Sequence, residues 1–152
     1  RFPDRDVWPA DRAARAHARA ISSEMHAGFM ALRSACPMNL ARRFAYRERG
    51  ADVAADVTRV AAVWAEARER FGRHADGPYL YGPFSAADAM YAPVVARFEG
   101  YGLATDDATA AYMAAVMAHP AYVTWREAAL REPWVLDEDE VDEPVVEDLR
   151  AS

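Results

Sequence analysis

A single cysteine, Cys36, is all the chain offers for covalent cross-linking. No disulfide can close within it, and no cysteine cluster can hold a metal. A reducing, cytoplasmic compartment is the expected setting. No apolar run approaches the roughly 20 residues of a membrane-spanning helix, and no secretory signal is recognisable, so no membrane partner is expected. A glycine-rich phosphate loop is missing. Glu24 and His26 stand two apart and cannot share an ion from one helix face, and no other His and carboxylate pair shows ligand spacing, so no metal is expected. No strongly basic face is present, which disfavours nucleic acid as a partner.

The chain has 152 residues, the size of one domain. A domain of this length buries roughly 70% of the surface its unfolded chain exposes and needs no covalent staple. Its charge is unevenly placed. Residues 133–152 hold eight acids against Arg150, a net −7, whereas the whole chain carries −6, so residues 1–132 stand at +1. The expected organisation is a linker over residues 1–10, a body over 11–132 and a solvated acidic tail over 133–152. The first residues are Arg1-Phe2-Pro3-Asp4 and not an initiator Met. They read as the frayed end of a preceding helix, hence as part of a longer protein.

Helical spacing fills the body. Ala14, Ala18, Ile21, Met25, Phe29 and Leu32 recur at the 3.6-residue period of an α-helix, with Asp11 as N-cap and Pro37 ending the run. Val53, Val57, Val60, Trp64, Ala67 and Phe71 repeat the pattern, and Gly72 closes it. Arg73 to Phe84 is a loop by its Gly and Pro content. A third helix runs from Ser85 to about Glu99, with a kink expected at Pro93. A fourth spans about Asp106 to Ala118. A fifth begins at His119-Pro120 and stops before Pro133. Strand signals are nearly absent. The prediction is an all-α bundle of about five main helices.

Within Gly82 to Val94, Ser85 and Asp88 have the spacing of a capping box. A buried donor left unpaired costs about 1–3 kcal/mol. A box followed by Ala89, Met90, Tyr91, Ala92, Val94 and Val95 therefore predicts a helix that starts inside the core.

Gly-x-x-Ser-x-x-Asp at the start of a buried helix resembles the N-capping box in the helical C-terminal domain of cytosolic glutathione transferases. Trp8-Pro9-Ala10-Asp11 is similar to the family's interdomain linker. Ser23-Glu24-Met25-His26-Ala27-Gly28-Phe29 resembles the first helix of that domain, most closely in the bacterial beta class. His119-Pro120-Ala121-Tyr122 through Trp125 resembles its last helix. The resemblance covers residues 1–134. It implies a preceding thioredoxin-like domain that binds glutathione and activates its thiol, a hydrophobic electrophile as second substrate, and a homodimer. This chain would then be the half that shapes the electrophile pocket, with no catalytic residue of its own. Two other roles of the same fold are a helical module for protein assembly and a glutathione-dependent isomerase.

His26 lies about 100° from the apolar stripe, on a polar face with Arg19, Ser22, Ser23, Met30 and Arg33 that suits a cleft wall. The resemblance places the matching His beside glutathione in beta-class members, although Ala27 stands where they often carry a basic residue. The candidate substrate-binding residues are thus His26, Ser22, Met30 and Tyr91, the last with Met90 and Val94 as potential pocket lining. Ser85 and Asp88 are the structural N-capping box. Cys36 would be reactive only in an accessible, electropositive site.

Overall fold

The structure is a computed structural model that describes residues 6–151. Arg1-Phe2-Pro3-Asp4, read above as a helix end, lies outside the described residues. The rest is mostly helical: α1 (Arg12–Ala27), α2 (Met30–Ala35), α3 (Ala51–Ala67), α4 (Ala86–Tyr101), α5 (Asp107–Ala118) and α6 (Pro120–Leu130). A two-stranded antiparallel sheet joins β1 (Arg42–Phe44) to β2 (Val145–Asp148).

Local chemistry sets the helix starts. The Asp11 and Asp106 carboxylates accept from the N–H groups of Ala14 and Thr109, at 2.8 and 2.7 Å. His119 accepts from Ala121 N–H while Pro120 takes the first helical position. At the other end of α4, Gly102 adopts φ +65° as C-cap, a left-handed conformation that glycine reaches without a Cβ penalty.

The first predicted helix is corrected: it ends at Ala27, and a separate short helix follows. A Cβ on Gly28 would stand 2.7 Å from the Glu24 carbonyl oxygen, so only glycine closes this turn. Phe29 then takes φ +58°, which is costly for a residue with a side chain, and its ring is buried in return. Phe29 and Leu32 both reach the core, so the apolar period continues across a break in the backbone. The second predicted helix matches α3, which widens into a π-helical turn over Arg68–Gly72. α4 runs through Pro93 as one helix.

α4 is the central element. Residues on every side of it are buried, from Ala87 and Asp88 to Phe98 and Tyr101. Trp64 of α3 meets Tyr91, Phe98 and Tyr112 at ring-centroid distances of 5.7, 5.3 and 4.8 Å, within the range of favourable aromatic pairs. Three hydrogen bonds lay α4 alongside the first third of the chain in parallel: Ala86 N–H to Val7 O, Tyr91 O–H to Ile21 O and Tyr101 O–H to Pro37 O.

Residues 133–137 of the acidic tail are exposed, as expected of a solvated tail, but the stretch from Glu140 onward is not free in solvent. It folds back over the 39–49 connection as a strap. β2 pairs with β1 in the register Arg42↔Asp148, Arg43↔Glu147 and Phe44↔Val145, with an irregularity before Phe44. Glu140 receives hydrogen bonds from Arg42 and Asn39, and Glu143 from Arg49. Arg42, Arg47 and Arg49 of this connection pair with three of the tail's eight acids, Glu140, Glu143 and Asp148, at close range.

Candidate functional site

The start of α4 is built around Asp88, which is fully buried. Oδ2 accepts from Ser85 N–H at 2.8 Å and from the Ser85 hydroxyl at 2.9 Å; Oδ1 accepts from Leu80 N–H at 3.0 Å and from the Tyr112 hydroxyl at 3.2 Å. One carboxylate thus ties the loop before α4, the α4 N-terminus and α5 together. Burial pushes its carboxyl above the usual aspartate range, against the pull of these hydrogen bonds.

The four predicted binding residues divide into two pairs. Tyr91 is fully buried, edge-on to Trp64, with its hydroxyl on the Ile21 carbonyl; burial raises its phenol well above the ordinary value. Ser22 is also buried, and its hydroxyl donates to Ala18 O one turn back. His26 and Met30 are exposed, at the end of α1 and the start of α2. Cys36 is fully buried, and burial outweighs the neighbouring arginines to push its thiol up, the opposite of a reactive thiolate.

Next to His26 the structure gives Arg33 a defined position. Arg33 wraps the end of α1, donating through Nη2 to Met25 O at 2.6 Å and through Nε to Gly28 O at 3.1 Å; Nη2 also lies 3.4 Å from His26 O. Arg97 of α4 is half-buried, donates from Nη1 to Pro93 O at 3.1 Å, and keeps its Nε buried without a hydrogen-bond partner among the described residues. A separate groove of about 710 Å³ opens between the 46–51 connection, the first half of α3 and Gly102–Thr105. None of the four predicted residues lines it. A polar chain also links Tyr81 O–H to His17 Nδ1 at 2.6 Å and His17 Nε2 to Glu66 at 3.6 Å. Among the described residues no group of three or more His, Cys, Asp or Glu is placed to hold a metal ion, and no helix is long and apolar enough to cross a membrane.

Comparison with known proteins finds no matching family model and no matching curated relative.

Proposed function

We propose that this chain is the helical C-terminal domain of a cytosolic glutathione transferase of bacterial beta-class type. The observation that supports this most is Asp88. It is a fully buried N3 carboxylate whose four hydrogen bonds start the central helix inside the core, with Ser85 as its partner. In this reading a preceding thioredoxin-like domain binds glutathione, holds its sulfur as thiolate and directs it at an electrophile. The helical domain supplies the wall of the electrophile pocket and contacts of a homodimer. His26 and Met30 are the exposed contributors to that wall. Tyr91 and Ser22 support it from inside, since their polar atoms are already occupied by backbone carbonyls.

The test is activity measured with and without the upstream coding sequence. The full-length product is expected to conjugate glutathione to chlorodinitrobenzene, and the 152-residue chain alone is expected not to. A full-length product that neither binds glutathione nor turns it over would replace the enzyme with an assembly module.

A further inference from the structure

Among the described residues, every hydrogen bond and ion pair that the tail from residue 133 onward makes with the rest of the chain falls on one short stretch, 39–49. Leu149 N–H donates to Ala41 O at 2.9 Å. Asn39 donates to Glu140, Arg42 pairs with Glu140 and Asp148, and Arg47 and Arg49 pair with Glu143. β2 lies on β1 among these contacts, and Val141 packs against the edge of the core. The strap is therefore a separate unit seated on one surface of the helical body.

The connection that joins this unit to α6 is loosely held. Pro133 has no N–H to donate and keeps Glu132 out of the helical backbone region, so α6 stops and the chain crosses to the strap without regular structure. Pro133, Trp134 and Val135 make no hydrogen bond among the described residues. Trp134, Val135 and Leu136 are 74%, 47% and 58% exposed. With Val145 and Val146 they supply five of the ten large apolar side chains exposed among the described residues, so the unpartnered apolar surface is concentrated in the tail. A single exposed apolar side chain needs no explanation, but three in a row on an irregular connection call for a partner.

We propose that this partner is a second copy of the chain and that the two copies exchange straps. β2 of each copy lies on β1 of the other, and the two Trp134–Leu136 connections cover one another where they cross. The 39–49 surface fits the partner's tail because that tail is the same acidic strand it holds within one chain, with the same guanidinium groups for Glu140, Glu143 and Asp148. Exchange keeps each of these contacts and adds one new interface, between the connections. Apolar burial there offsets the lost freedom of two separate chains, which is why exchange of an identical element is a low-cost route to a dimer. The inference does not rest on the transferase reading, whose homodimer contacts belong to the helical body.

The test asks which chain supplies the strand. Arg43 and Glu147 face one another in the β1–β2 register, and residues so placed in an antiparallel pair are close enough for a disulfide. Arg43→Cys/Glu147→Cys, combined with Cys36→Ala, is oxidised and run on a non-reducing gel. Exchange should give a covalent dimer, whereas a strap closed on its own chain gives a monomer with an internal bridge. Wild-type protein refolded from an equal mixture of nitrogen-labelled and carbon-labelled chains should show isotope-filtered NOEs from Phe44 of one chain to Val145 of the other, and this result decides even if the cysteine variant does not fold. Trp134→Ser should weaken dimerisation by about 10-fold or more in a light-scattering titration, as expected for loss of one buried aromatic from each copy. A monomeric wild type, an oxidised variant that runs as a monomer, Phe44–Val145 NOEs confined to one label, or an unchanged affinity in Trp134→Ser would overturn the proposal. A dimer with internal bridges is the one expected of the transferase reading, so the two readings fail separately.

Discussion

Glu143 grips Arg49 with both carboxylate oxygens, at 2.7 and 2.6 Å, across 94 residues of sequence. The two side chains are 7% and 3% exposed, and the guanidinium lies 4.6 Å from the Tyr101 ring centroid. Arg49 also donates to Ala35 O. Removing one member of a buried pair leaves the other charge stranded, a loss of about 3–5 kcal/mol. Glu143→Ala should therefore release the strap and lower stability by an amount in that range, read by chemical denaturation together with amide exchange at Val145–Asp148. Arg47→Ala should cost under about 1 kcal/mol, since its contact with Glu143 comes from a solvent-exposed side chain.

Acid should detach the strap before it unfolds the core. The Arg49 hydrogen bonds hold the Glu143 carboxyl below its usual range, and the Arg150 N–H does the same for Asp148. A depressed folded-state value means stability that is present above the ordinary carboxylate range and lost as pH falls through the folded value. Asp88 has the opposite sign. Its raised value contributes stability below the ordinary aspartate range that is lost as pH rises through the folded value, so acidification does not weaken it. Protection of the β2 amides should disappear below about pH 4 while the near-ultraviolet signal of the aromatic core persists. Simultaneous loss of both signals would refute the separation. Glu143→Gln should remove much of the pH dependence of the strap.

Asp88→Ala should cost about 2–3 kcal/mol, because it strands two backbone donors and two hydroxyls away from water. Ser85→Ala should cost less, and the double variant less than the sum, because the two side chains act as one unit. Asp88→Asn should also destabilise, since its amide NH₂ must face groups that donate. Denaturant titration of these variants measures all four effects. A loss below about 0.5 kcal/mol for Asp88→Ala, the size of an ordinary surface change, would contradict the buried cap.

His26→Ala in the full-length protein should leave the melting temperature nearly unchanged, because the side chain is exposed and no hydrogen bond to its ring is present among the described residues. Under the proposed function it should weaken glutathione affinity or turnover several-fold. Unchanged kinetics would remove His26 from the site.

Most of the helices were legible from one-dimensional signals. The Asp11, Asp106 and His119-Pro120 starts and the Ser85–Asp88 box all act over three or four residues, where sequence spacing is spatial distance. The break at Gly28-Phe29 was hidden because the apolar period survives it: Phe29 and Leu32 reach the same core whether or not the backbone is continuous.

Tertiary structure alone decided the rest. Tyr91 and His26 were both candidates on helical spacing, yet Tyr91 is buried against Trp64 and His26 is exposed. The tail's composition specifies charge but not its partners. Only the return of β2 to β1 brings Glu140, Glu143 and Asp148 to Arg42 and Arg49, and a carboxylate that finds a guanidinium 94 residues away folds where the same carboxylate alone would stay in water.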